Sequence, residues 1–203
     1  ELWLSDVSEA GLAETRALLT QQDVACHIEH LDVADRSAVH AYADSVAEQV
    51  NHIDLLVNNA GVAMSDRVDE QNYDDFEWLM NINFWGVVHG TTAFLPLLKR
   101  ASSGHLVNIS SVFGIVGIPT QSAYNASKFA VRGFTEALRQ EMAGSNVHVC
   151  CVHPGGIKTN IARAARSSDT KTSADERAEA FEKAAGTPAG DAAKQIINAI
   201  EQR

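Results

Sequence analysis

Cysteine is scarce in this sequence, with only Cys26, Cys150 and Cys151 among 203 residues. An odd and sparse set does not make a disulfide framework, so a reducing, cytoplasmic compartment is expected. The eight histidines are scattered and form no Cys/His cluster at metal-ligand spacing, so no metal site is expected. No run approaches the ~20 apolar residues of a membrane span, and no signal peptide is visible. These absences argue against a disulfide scaffold, a metalloprotein and a membrane protein.

Basic residues are also in deficit, with 16 Lys and Arg against 26 Asp and Glu and a net charge of −10. Nonspecific nucleic-acid binding needs clustered Lys and Arg, so no nucleic-acid partner is expected. The hydrophobic fraction of 45% is ordinary for a globular protein, and the length is enough for one sizeable core. We therefore expect a single domain over residues 1–203.

Short apolar runs alternate along the chain with helix-length amphipathic segments. The runs are almost continuously apolar, as expected of strands that are covered on both faces. Strictly alternating strands and helices predict an α/β fold, a doubly wound parallel sheet with helices on both faces. The predicted strands cover residues 2–5, 24–31, 53–57, 105–109 and 147–152, and the predicted helices cover 8–20, 35–50, 73–99, 122–143 and 192–202.

The stretch from Lys158 to Pro188 departs from this alternation. It is rich in Ala, Ser, Thr and charged residues and poor in large apolar ones. A segment of this kind either links two domains or forms a mobile lid. Because little chain follows it, residues 158–188 are predicted to be a substrate lid within the single domain.

Polar residues follow the predicted strands at the points where those strands end. In an open parallel sheet, ligands bind beyond the carboxyl ends of the strands, so these residues should line one site. Each could also serve a local role, such as a turn or a helix cap, but their shared position favours a site. The residues are Asp6, Asp32, the turn 58–61, Ser111 and the turn 154–156.

Tyr124 and Lys128 lie four residues apart on a predicted helix and therefore project from the same face. A fixed ammonium beside a phenol can hold it in a more acidic state, which suits proton transfer to or from an alcohol or ketone. Lowering a tyrosine pKa from ~10 to near neutrality takes roughly 4 kcal/mol. A unit charge at ~4 Å supplies about that much at an effective dielectric of ~20.

Six motifs, in this order and spacing, identify a resemblance to the short-chain dehydrogenase/reductase family over nearly the whole chain. The resemblance implies a Rossmann-like domain in which Tyr124 is the catalytic acid/base, while Lys128 binds the nicotinamide ribose and acidifies the tyrosine. Lys128 and an oxidised nicotinamide together are expected to bring the pKa of Tyr124 near the working pH. By the same resemblance, Ser111 hydrogen-bonds the substrate oxygen, and Asn83 holds a water that extends a proton relay from Lys128. The motifs are LDV ending at 33, NNAG at 58–61, INFWG at 82–86, VNISS at 107–111, YNASK at 124–128 and HPGGIKT at 153–159.

The resemblance also implies a set of cofactor contacts besides Tyr124 and Lys128. Asp6 would occupy the ribose-binding position, where a carboxylate accepts bonds from ribose hydroxyls and repels a 2′-phosphate. No Arg or Lys adjoins Asp6, so NAD is expected over NADP. The other implied contacts are Asp32 and Val33 at the adenine, Asn59, Ala60 and Gly61 on the adenosine side, Ile157 and Thr159 near the carboxamide, and Pro154 and Gly155.

One departure from the family pattern is that this sequence lacks the first strand and its glycine-rich, pyrophosphate-binding turn. The chain begins with Glu1 inside an apparent strand, and it stops before the family's final strand. We therefore expect a longer natural protein that carries both.

The expected substrate is a small or apolar alcohol or ketone, because residues 112–119 (VFGIVGIP) would line its site and are almost wholly apolar. Two alternatives stay open: a sugar-nucleotide epimerase or dehydratase, which can share the Tyr/Lys pair, and a non-catalytic binding protein on the same fold. The predicted helices 73–99 and 122–143 carry more apolar surface than one sheet contact can use. They are therefore predicted to build a homodimer or homotetramer.

Overall fold

The computed structural model describes residues 1–20, 23–168 and 172–202, and every strand pair in these ranges is parallel. Most predicted elements are present, with bounds that shift by one to three residues. The strands are β1 (Leu2–Asp6), β2 (Cys26–His30), β3 (Leu55–Asn58), β4 (Gly104–Ile109), β5 (Val147–Val152), β6 (Ile157–Lys158) and β7 (Thr187–Pro188). The helices are α1 (Glu9–Thr20), α2 (Arg36–Ala47), α3 (Tyr73–Met80), α4 (Gly86–Leu98), α5 (Ser122–Glu141), α6 (Ala174–Ala184) and α7 (Ala189–Glu201).

Strand β4 is the centre of the three-stranded sheet β3-β4-β5, and helices cover both of its faces. On one face, Asn108 of β4 hydrogen-bonds Thr135 of α5. On the other, Val107 borders a small cavity that α7 closes with Ala199 and Ile200. Both faces are dry, because Leu106 and Val107 are 0% and 1% exposed. The predicted Rossmann-like α/β class is confirmed.

Strands β1 and β2 form a separate parallel pair, and β1 faces β3 across a cavity instead of pairing with it. The cavity has a volume of about 570 Å³. Its walls are the residues of β1 and β3, with Tyr42 of α2 and Phe94 of α4 closing one side. The carboxyl ends of β1 and β3 therefore open into the same space.

Local sequence explains where the first two helices begin. The Ser8 hydroxyl accepts a hydrogen bond from the Gly11 N–H at 3.1 Å and caps α1. The Asp35 carboxylate accepts one from the Ala38 N–H at 3.0 Å and caps α2. Each cap satisfies a backbone donor that the first helical turn leaves unpaired.

The predicted long helix over 73–99 is interrupted by a wide π-helical turn at Asn81–Trp85. There the Asn83 amide pairs with the backbone of Val62, accepting from its N–H at 2.8 Å and donating to its carbonyl at 2.9 Å. Asn83 is fully buried. Seating this amide takes one residue more than an α-helical turn holds, which explains the π turn between α3 and α4.

A chain of buried amides and hydroxyls joins the sheet to α4 and α5. Asn58 of β3 donates to Thr91 of α4 at 3.1 Å and to Asn108 of β4 at 2.8 Å. Asn108 in turn donates to Thr135 of α5 at 3.0 Å. Because unpaired buried amides are costly, this chain sets the register of both helices on the sheet.

The C-terminal segment returns to the sheet region through β6 and β7, in which Ile157 lies opposite Thr187. Helix α6 starts with a capping box between Ser173 and Glu176. Within the described ranges, no helix combines the length and apolarity needed to cross a bilayer.

Two helical glycines should respond oppositely to alanine. At Gly90, a Cβ would overlap the Asn58 Oδ1, whose amide is held by two hydrogen bonds. Gly90→Ala should therefore lower the free energy of unfolding by about 1–3 kcal/mol. Gly133, in α5, has open space around a Cβ, so Gly133→Ala should raise it by about 0.5–1 kcal/mol. Urea denaturation of both variants checks the signs, and stabilisation by Gly90→Ala would contradict the packing described for Asn58.

Candidate active site

Ser111 and Tyr124 meet at the carboxyl end of β4. Ser111 follows the strand, and its hydroxyl accepts from the Phe113 N–H at 3.1 Å, which starts a 3-10 turn over Val112–Gly114. Tyr124, in the first turn of α5, lies close enough to the Ser111 hydroxyl for it to lower the pKa of the phenol. Burial outweighs this effect and raises the pKa above its ordinary value.

Lys128 lies one helical turn further along α5 and is 3% exposed. Its ammonium donates to the Ile109 carbonyl at 3.0 Å and lies 5.6 Å from the centre of the Tyr124 ring. Burial lowers the pKa of Lys128 to about 8, and the nearby Cys151 thiol opposes that shift. Lys128 is therefore cationic at neutral pH and loses its charge as the pH rises through about 8.

Within the protein alone the pKa of Tyr124 is raised, and the expectation that Lys128 together with an oxidised nicotinamide lowers it stays a prediction. Desolvation is the largest influence on the pKa of Tyr124, and its direction is upward. The ammonium donates to the Ile109 carbonyl and lies 5.6 Å from the centre of the Tyr124 ring.

Asn83 and Lys128 border the same small space at Gly61. A Cβ placed on Gly61 would lie 3.3 Å from the Asn83 Oδ1 and 3.5 Å from the Lys128 Nζ. The Asn83 amide nitrogen also donates to the Ser127 hydroxyl at 3.2 Å, and Ser127 donates to the Tyr124 carbonyl at 2.8 Å. A carbonyl oxygen accepts two bonds, so Oδ1 keeps one lone pair after binding the Val62 N–H.

Four of the predicted cofactor residues, Asp6, Val33, Asn59 and Ala60, line the cavity between β1 and β3. The Asp6 carboxylate is exposed and accepts from the Ser8 N–H at 2.8 Å, so it also supports the start of α1. In a doubly wound sheet a dinucleotide binds beyond the carboxyl ends of the strands, and Asp6 stands at that end of β1.

Asp32 differs from Val33, although the two are adjacent. The Asp32 carboxylate bends back to accept from the Ala34 N–H at 2.9 Å, and it is outside the cavity lining. Val33 lies against α4, where a Cβ on Gly86 would come within 2.7 Å of its Cγ2. In the structure the Asp32 carboxylate caps a turn, and its predicted contact with the adenine stays a prediction.

The turn after β5 reaches the site through its backbone. The Pro154 carbonyl accepts from the Val112 N–H at 2.9 Å, and His153 Nδ1 donates to the Ser111 carbonyl at 3.1 Å. Ile157 is half-buried in β6, while Gly155 and Thr159 are exposed. Of the predicted nicotinamide-side residues, Pro154 is the one tied directly to the Ser111 segment.

Sequence reasoning missed the side chains that hold α5 in place. The Ser110 hydroxyl donates to the Lys128 carbonyl at 2.8 Å. The buried Asn125 amide bonds three backbone groups of the segment that precedes α5. Both residues lie inside recognised motifs, but their partners are backbone atoms, which leave no sequence signal.

A strap formed by residues 166–168 packs against residues 63–66 and helix α3. The buried Asp66 carboxylate accepts from the Ser168 N–H at 2.6 Å and from the Ser168 hydroxyl at 2.8 Å. The Arg166 guanidinium stacks on Trp78 at 3.6 Å and pairs with Asp75 of α3. Residues 166–168 of the predicted lid are thus anchored by polar contacts that the composition of the segment does not reveal.

No three His, Cys, Asp or Glu side chains lie close enough to hold a metal ion in the part of the chain that the structure describes.

Comparison with known proteins matches residues 1–170 to the short chain dehydrogenase family model. The chain is 47% identical to the oxidoreductase SadH of Mycobacterium tuberculosis over 205 residues. The match covers 98% of this chain and 73% of that protein. Cyclopentanol dehydrogenase of Comamonas testosteroni is 35% identical over 158 residues, covering 78% of this chain and 63% of that enzyme.

Solved structures agree with this assignment. A short chain dehydrogenase/reductase from Burkholderia phymatum, in complex with NAD, superposes with a TM-score of 0.90 at 32% identity. The match covers 100% of this chain and 77% of that protein. Other solved relatives were crystallised with NADP or NADPH. The family model over residues 1–170, the 47% identical relative and the superposed structure show that the chain belongs to the short-chain dehydrogenase/reductase family.

Proposed function

We propose that this protein transfers a hydride between a nicotinamide dinucleotide and a secondary alcohol or ketone. The observation that carries the proposal is the convergence of Ser111, Tyr124 and Lys128 at the end of β4, beside the cavity that Asp6 and Asn59 line. The family's oxidoreductase relatives support the reaction class.

Each residue has a chemical task that follows from its position. The Tyr124 phenol exchanges a proton with the substrate oxygen, and the Ser111 hydroxyl hydrogen-bonds the same oxygen. The Lys128 ammonium supports the phenolate with its charge, and Asn83 Oδ1 can hold a water that carries the proton onward. A bound oxidised nicotinamide supplies the hydride acceptor and a further positive charge.

The preferred cofactor is proposed to be NAD. The exposed Asp6 carboxylate at the end of β1 can accept bonds from two ribose hydroxyls, and its charge opposes a 2′-phosphate. The substrate is proposed to be a small or apolar alcohol, because the segment beside Ser111 exposes Ile115, Val116 and Ile118. A cytoplasmic location is part of the same proposal.

Residues 158–188 are proposed to act as a substrate lid within one domain, with the strap as its fixed end. The strap is held by Asp66, whereas α6 lies outside the buried core. Movement is therefore expected in α6. Hydrogen exchange with and without NAD tests this, and strong protection of α6 without NAD would contradict it.

Tyr124→Phe should abolish turnover while leaving the fold intact. Removal of the phenol hydroxyl should lower kcat about 100-fold or more, because a general acid–base group contributes at least that much. The free energy of unfolding should change by about 1 kcal/mol, the contribution of one hydrogen bond. Steady-state rates of the full-length protein measure this, with Tyr73→Phe as the control, since Tyr73 is 79% exposed. A variant that keeps most of its rate would remove Tyr124 from the role.

Asp6→Asn should relax the discrimination against NADP. The amide keeps an oxygen for the Ser8 N–H but loses the charge, so the helix start is preserved while the ribose site is altered. The NAD/NADP ratio of kcat/KM should fall about tenfold, since hydrogen bonds to charged groups contribute ~1.5–3 kcal/mol. Asp32→Asn, at the neighbouring strand end, is the control. An unchanged ratio in Asp6→Asn would leave the carboxylate with the capping role alone.

The protein is proposed to be a homodimer or homotetramer built through α4, α5 and the π turn between α3 and α4. Trp85 of that turn is 47% exposed and Phe129 of α5 is 42% exposed. Large exposed aromatic side chains on adjacent helices are typical of an interface core. Light scattering at micromolar concentration should give a dimer or tetramer mass. The mass should fall toward the monomer in Trp85→Ser, and a monomeric wild-type protein would contradict the proposal.

A further inference from the structure

The segment between Ser111 and α5 exposes apolar side chains although its backbone is held firmly. Ile115 is 48%, Val116 52% and Ile118 39% exposed. These residues are called the apolar wall here. Exposed apolar groups in the segment that follows Ser111 indicate a surface for an apolar ligand.

One side chain, Asn125, holds the backbone of this wall. Its amide nitrogen donates to the Phe113 carbonyl at 2.6 Å and to the Val116 carbonyl at 2.8 Å. Its oxygen accepts from the Ile118 N–H at 3.2 Å. Both amide hydrogens and one acceptor site are thereby used on a single segment, and Asn125 is 8% exposed.

The same segment touches the catalytic residues at its other end. The Phe113 N–H donates to the Ser111 hydroxyl, and the Phe113 ring meets the Tyr124 ring edge-on, with centroids 6.1 Å apart. Gly114 lies so close to α5 that a Cβ would come within 2.7 Å of the Lys128 carbonyl. A change in the segment's path would therefore move both the wall and the groups beside the reacting oxygen.

We propose that Asn125 is a positioning residue that shapes the apolar wall and thereby favours bulky apolar alcohols over small ones. The inference rests on the proposed function, because it names which substrates that site prefers. Holding the backbone in one conformation presents the three side chains as a preformed surface, so less ordering is needed when a ligand binds. A small alcohol reaches Ser111 and Tyr124 without touching the wall and gains nothing from it.

The experiment compares Asn125→Ala with Asn146→Ala in the full-length protein with NAD. Asn146 makes the same kind of contact far from the site, donating to the Lys99 and Ala101 carbonyls at 3.2 and 2.5 Å. The measured quantity is the ratio of kcat/KM for cyclopentanol to that for 2-propanol. Asn125→Ala should lower this ratio about tenfold, the effect of lost apolar contact in a pocket. The change should appear mainly as a higher KM for cyclopentanol, and Asn146→Ala should leave the ratio unchanged.

The outcomes separate this inference from the proposed function. Wild-type protein that turns over neither alcohol with either cofactor overturns the proposed function and this inference with it. Turnover with an unchanged ratio in a folded Asn125→Ala variant, or an equal fall in Asn146→Ala, overturns the inference alone. If Asn125→Ala does not fold, hydrogen exchange of the wild-type Ile118 amide decides. Slow exchange supports its bond to Asn125, and the rate of a free loop amide overturns the proposal.

Discussion

The seating of helix α5 on the end of strand β4 is the contact on which the rest of the site depends. Two hydrogen bonds run in opposite directions between these elements: Lys128 Nζ to the Ile109 carbonyl, and the Ser110 hydroxyl to the Lys128 carbonyl. Because both lie in a dry environment, neither partner can shift without leaving a buried polar group unsatisfied. The position of Tyr124 relative to Ser111 follows from this reciprocal pair.

Much of the architecture could be predicted from the sequence because its causes are local. Buried strands appear as apolar runs, and the Ser8 cap is visible from a hydroxyl at the start of a helical pattern. The proposed roles of Ser111, Tyr124 and Lys128 follow from the resemblance of their motifs to the short-chain dehydrogenase/reductase family. In contrast, the π turn depends on Asn83 pairing with Val62, twenty-one residues away. Every residue carries the same backbone groups, so a hydrogen bond to the backbone cannot be predicted from the identity of the partner residue.

The direction of the Tyr124 pKa shift is a second point that sequence could not supply. Spacing places a cation one turn from the phenol, and point charges alone then predict acidification. Burial of the same phenol acts in the opposite direction and dominates in the folded protein. The depth at which a helix sits is a property of packing, so the balance of the two effects becomes visible with the three-dimensional structure.

The π turn at Asn81–Trp85 determines how this helical region would respond to the deletion of one residue. The turn holds one residue more than an α-helical turn needs, and that surplus seats the Asn83 amide against Val62. Loss of one residue within the turn could be absorbed by conversion to regular helix, which would keep α4 aligned with the sheet. The same loss within α4 would rotate its buried face by about 100° per residue. A shortened protein of the first kind would keep its fold and lose the group that borders Lys128.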